Sequence, residues 1–71
     1  MKFDVGDLVD YRVADTGILL TGVILQKAWR EDETIWFYKL YFITEEDQAW
    51  IEESDLQQHG GRNGLQTKLE S

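Results

Sequence analysis

The sequence predicts a small all-β domain, a five-stranded sheet bent strongly enough to close on itself as a barrel. Three observations predict it. Apolar and polar side chains alternate with a period of two over several short runs. Glycine and acidic clusters punctuate those runs at regular spacing, as turns do. No segment sustains the i, i+3, i+4, i+7 apolar spacing of a helix. Residues 1–58 are too few for two packed sheets, and closure removes the sheet edges with the least chain.

The elements follow in order. Leu8 to Val13 alternates, with Val9, Tyr11 and Val13 on one face and Leu8, Asp10 and Arg12 on the other. Asp15-Thr16-Gly17 is a turn, its glycine suited to positive φ. Ile18 to Lys27 is aliphatic and β-branched and reads as a second strand. Gly22 within it marks a bend, a bulge or a close backbone approach. Arg30 to Glu33 is a charged connection. Thr34 to Thr44 is the clearest strand, with Trp36, Tyr38, Leu40 and Phe42 on one face and Ile35, Phe37, Lys39, Tyr41 and Ile43 on the other. Lys39 assigns the second face to water. Glu45-Glu46-Asp47 turns the chain, Gln48 to Glu52 makes a fourth strand, Glu53-Ser54-Asp55 one helical or 3₁₀ turn, and Leu56-Gln57-Gln58 a short closing strand. The barrel is thus expected over 1–58. Gly60, Gly61 and Gly64 fall within five residues, a costly stretch of backbone to order, so 59–71 reads as a flexible Gly-rich tail with His59 solvated at its start.

Composition narrows the function. A chain of 71 residues is one domain or less, and a domain this small buries only about 60% of the surface its unfolded chain exposes. There is no cysteine, which removes disulfides and thiolate metal sites and suits a reducing compartment. No run approaches the ~20 apolar residues of a membrane span, and the first residues lack a signal-peptide core. The expected location is cytoplasmic, or nuclear in a eukaryote, without membrane attachment. The formal net charge is −7. Such a field repels phosphate backbones and attracts basic proteins. Direct nucleic-acid binding is therefore disfavoured, although acidity also simply keeps a small protein soluble.

With the elements placed, Gly6-Asp7-Leu8-Val9, Gly22-Val23-Ile24, Tyr38-Lys39-Leu40-Tyr41-Phe42, Trp50-Ile51 and Asp55-Leu56 together resemble the Tudor/agenet group of SH3-like barrels. The resemblance spans residues 3–56 and implies that fold. It also implies a site. Members that read methylated lysine or arginine hold the cation in an aromatic cage with an acid nearby, through cation–π attraction. By that resemblance Phe42 and Trp50 match the late cage positions, and Glu45, Glu46 and Asp47 would supply the acid. The early positions fall near Val13 and Leu20, both aliphatic, so Tyr11, Trp29 or Tyr41 would have to close a differently built pocket. The alternative places Phe42 in the core and Trp50 over the barrel end.

Three tryptophans, three tyrosines and three phenylalanines exceed what one small barrel buries. Trp36, Tyr38, Phe42 and Tyr11 take inward positions. Phe37, Tyr41, Trp50 and Trp29 are left at or near the surface, where rings commonly mark a contact surface. A homodimer through Phe37 and Tyr41 is the competing use. The acidic clusters lack the spacing of a calcium loop, and Ser54 and Ser71 lie in no nucleophile motif. The expectation is a non-catalytic module without cofactor or metal that binds a basic protein or peptide, methylated or not. The alternatives are a nucleic-acid-associated or DNA-mimicking accessory protein, or an oligomeric assembly piece.

Overall fold

The structure, a computed structural model, describes residues 1–60. It is all-β: β1 (Leu8–Arg12), β2 (Leu19–Arg30), β3 (Ile35–Phe42), β4 (Asp47–Glu52) and β5 (Leu56–Gln58), with one 3₁₀ turn, Glu53–Asp55, before β5. The strands form a single antiparallel sheet in the order β4-β3-β2-β1-β5. The sheet is open and does not close into the expected barrel. β4 and β5 are its two edges, and β5 contributes only three ladder positions, Val9↔Gln58 to Tyr11↔Leu56. A strand that short binds β1 and has no length left to pair with β4.

The core lies on one face, here the inner face. Val9, Ile24, Tyr38, Leu40, Phe42 and Leu56 are buried, and Phe3 from the N-terminal segment packs onto them. In β3 the alternation sorts as its sequence predicts; in β1 Val9 and Tyr11 turn to this face, and Asp10 on the opposite face is buried as well. Tyr11 and Trp36 pack partly buried against this cluster, with Tyr11 against Phe42 at 6.1 Å and Phe3 edge-on to Tyr38 at 5.7 Å. Gly22 is the close approach foreseen at that position: a Cβ there would lie 3.0 Å from the Tyr41 carbonyl oxygen and 3.3 Å from Leu40 Cβ. Gly17 takes φ +75 in the β1–β2 turn, where its N–H donates to the Val13 carbonyl at 2.8 Å.

The irregularity in β2 sits elsewhere, at Leu25. The β2–β3 register runs Gly22↔Phe42, Val23↔Tyr41, Ile24↔Leu40, then resumes at Gln26↔Lys39. One extra residue in a strand reverses which face every later side chain occupies. Beyond Leu25, Lys27 and Trp29 therefore sit opposite Tyr38 and Trp36, while Gln26, Ala28 and Arg30 join Lys39, Phe37 and Ile35.

The N-terminal segment is tied down by polar contacts. Tyr38 is fully buried; its hydroxyl donates to Glu53 Oε2 at 2.6 Å, and the same oxygen accepts from the Lys2 backbone N–H at 2.8 Å. Lys27 bonds Asp4 at 2.9 Å, and Gly6 N–H donates to the Ile24 carbonyl at 2.8 Å. At the other edge His59 is exposed, as expected of a solvated residue, yet tied to the sheet. Its N–H donates to the Leu8 carbonyl, and Nδ1 lies 2.9 Å from Asp10 Oδ1. Asp10 is 9% exposed, and a carboxylate at that depth needs partners; Thr21 Oγ1 also donates to it at 2.7 Å. The rest of the expected tail, 61–71, lies outside the described residues.

Candidate binding surface

Cross-strand partners share a face of a sheet, so the register shows which side chains meet on the outer face. Three rows cross it. The first runs Leu8, Val23, Tyr41, Gln48; the second Gln26, Lys39, Trp50; the third Ala28, Phe37, Glu52. Trp50 therefore lies diagonal to both Tyr41 and Phe37 across the β3–β4 ladder. Trp50 is 47% exposed and Leu8 44%, and Val23, Phe37 and Tyr41 are half-buried. Among the described residues no element covers this band.

A groove of about 360 Å³ opens in it, lined by Ala28, Arg30, Phe37 and Trp50. That volume lies in the range of small-ligand and side-chain pockets. The Arg30 guanidinium carbon sits 5.6 Å from the Phe37 ring centroid, close enough for cation–π attraction worth about 0.5–1 kcal/mol at an exposed site. Its Nη2 also reaches Asp32 at 3.3 Å. Arg30 thus lines the groove and occupies a face of Phe37 that a ligand cation would otherwise take. The rim is acidic at both ends. Glu45, Glu46 and Asp47 turn the chain, exposed, next to the Tyr41–Gln48 row, with Glu46 at φ +55. Glu52 lies opposite Phe37 at the other end and accepts a 2.7 Å bond from Ser54 Oγ.

The residues singled out from sequence divide between the two faces. Trp50, Tyr41 and Phe37 come together on the outer one. Phe42 is 5% exposed and belongs to the core; Tyr11 packs on it from the same side. Trp29 is exposed as expected, but the β2 irregularity turns it to the inner-face side, where it meets Trp36 at 5.6 Å. Phe42 and Trp50 therefore point to opposite faces, and these rings do not converge on one acid as a cage. Ala28 and Arg30 were missed because uninterrupted alternation would have turned them inward. The one signal of the slip is Ile24-Leu25 followed by Gln26-Lys27, adjacent aliphatics and then adjacent polar residues.

A second groove, about 630 Å³, lies where Trp29 and Trp36 meet Met1, Lys2 and Glu53. Its carboxylate already serves the fold. The Tyr38 hydroxyl, then the Lys2 N–H and the nearby N-terminal and Lys2 charges, hold the Glu53 carboxyl below its ordinary value against a smaller opposing effect of burial. Burial first, and the bond to Glu53 second, push the Tyr38 phenol up to about 12. Thr21, His59 and Asp10 form no nucleophile relay. Thr21 Oγ1 and Asp10 Oδ1 both approach the same ring nitrogen, Nδ1, at 3.5 and 2.9 Å, whereas a relay needs hydroxyl and carboxylate on opposite ring nitrogens. Among the described residues no group of His, Asp and Glu side chains is placed to hold a metal ion. The chain matches no protein-family model, no curated protein and no solved structure.

Proposed function

We propose that this protein is a non-catalytic binding module that takes a basic protein or peptide on the outer face of β3 and β4. The observation that carries this reading is Trp50, half exposed on the edge strand β4, opposite Lys39 and diagonal to both Phe37 and Tyr41 on an uncovered face. Exposed aromatic area at this density supplies contact energy at low entropic cost. The net charge of −7 and the acidic residues at both ends of β4 select the sign of the partner and speed its encounter. On the fold side, β5 returns to β1 after the 3₁₀ turn, which supports an SH3-like or Tudor-like origin for the sheet. The ligand side of that resemblance is less well supported, because the Arg30 guanidinium already lies over the Phe37 ring. Recognition is expected to depend on charge and apolar contact more than on lysine methylation.

The test is a pair of lysine-rich peptides, unmodified and trimethylated, titrated by fluorescence anisotropy into the wild type and into the Trp50→Ala/Tyr41→Ala double variant. The reading expects binding of both peptides that weakens with salt. It expects loss of binding in the double variant with an unchanged circular dichroism spectrum. Binding that survives the double substitution would place the contact elsewhere and overturn it.

A further inference from the structure

The β4 strand is a sheet edge, and the hydrogen-bond directions show what it offers. On β3 the Phe42 carbonyl accepts from Glu46 N–H, on the β4 side, while Ile43 N–H donates to the Thr21 carbonyl, on the β2 side. Backbone direction alternates along a strand. Phe42, Leu40 and Tyr38 thus face β4 and bond their partners Asp47, Ala49 and Ile51. The backbone groups of Gln48, Trp50 and Glu52 face away from the sheet. Gln48 N–H is taken by Asp47 Oδ1 at 2.8 Å. Trp50 and Glu52 keep both N–H and carbonyl directed outward, with no strand beside them among the described residues.

We infer that β4 captures an extended basic segment as an added sixth strand, centred on Trp50. This rests on the binding reading above and gives it a geometry. Side chains of an added strand opposite Gln48, Trp50 and Glu52 would lie on the outer face, so an apolar residue would meet Trp50 and its same-face neighbour would meet Glu52. Charge decides the occupant. A second copy paired antiparallel about Trp50 would set Glu52 against the neutral Gln48 and Asp47 against Glu53, gaining no opposite charge and a like-charge pairing, which destabilises a ladder. A strand with lysine two residues from an apolar residue meets Glu52 with opposite charge.

The experiment uses the full chain and the capped peptide Thr-Lys-Thr-Val-Thr-Lys-Thr, alongside the same peptide N-methylated at its valine. Methylation keeps every side chain and charge and removes the donor to the Trp50 carbonyl. Strand addition predicts that the parent peptide binds and slows hydrogen exchange of the Trp50 amide, and that the methylated one binds roughly tenfold more weakly, the scale of a lost backbone bond. On the protein side, Glu52 has φ −75 and ψ 155, which proline adopts without strain. Glu52→Pro should weaken the parent peptide more than Glu52→Gln does, since both remove the charge and only proline removes the outward N–H. Equal affinity for the two peptides with unchanged Trp50 exchange overturns strand addition and leaves the aromatic contact standing. Binding of neither peptide at low salt overturns both.

Discussion

The two faces of β3 carry similar chemistry and meet opposite fates. Tyr38, Leu40 and Phe42 point to the inner face and are sealed there; Phe37, Lys39 and Tyr41 point to the outer face and remain partly exposed. Both faces present aromatic rings, so hydrophobicity alone does not separate them. The difference is what lies over each. The inner face is covered by Val9 of β1, Leu56 and the N-terminal Phe3, held by the Glu53 clasp on Tyr38 and Lys2. The outer face has no such cover among the described residues. One face therefore stores stability and the other is available for contact, and variants on the two should part accordingly.

The largest effect is expected in the core. Leu40→Ala removes a fully buried side chain and should cost about 2–5 kcal/mol in urea unfolding, enough to unfold much of so small a domain. A loss under 1 kcal/mol would mean the inner face is not tightly packed. Next is the clasp. Tyr38→Phe keeps the ring and deletes the hydroxyl that bonds Glu53; leaving partly buried partners short of a bond should cost about 1–2 kcal/mol.

The same bond sets the pH dependence from both sides. Glu53 has its folded pKa below the unfolded value, so its contribution is complete above the ordinary 4.5 and fades as pH falls through the folded value. Tyr38 has its folded pKa raised from 10.0 to about 12, so its contribution is complete below 10 and is lost as pH rises toward 12. Melting temperature should fall at both ends, and Tyr38→Phe should abolish the alkaline decline and blunt the acid one. The smallest effect is expected outside. Trp50→Ala should change stability by no more than about 0.5 kcal/mol while weakening peptide binding. A large destabilisation would make Trp50 part of the packing and erase the contrast between the faces.

Much of this contrast is legible in the residues. Period-two alternation sorts Val9 from Leu8 and Leu40 from Lys39, because on a short strand one face must be buried. Leu56 and the 3₁₀ turn before it are equally readable from their punctuation. Three features are not. The extra residue at Leu25 reverses the faces of Trp29 and Arg30, and it depends on how β2 must bend to serve β1 and β3 together. Whether the sheet closes depends on the reach of β5, a property of three-dimensional path and not of pattern. The attachment of His59 to Asp10 spans 49 residues of sequence and leaves no local trace. The candidate site shows the same split. Trp50, Tyr41 and Phe37 are found by alternation within β3 and β4, whereas Ala28 and Arg30 lie past the irregularity and are not.

The central claim is that the outer face of β3 and β4 receives a partner while the inner face stays closed. Amide and indole chemical shifts followed during titration with the lysine-valine peptide at low salt test it most directly. The account predicts changes concentrated at Gln48, Trp50 and Glu52 and at their β3 neighbours Phe37, Lys39 and Tyr41, with Val9, Ile24 and Leu40 unmoved. Changes centred on Trp29, Trp36 and Glu53, or no changes at all, would contradict it.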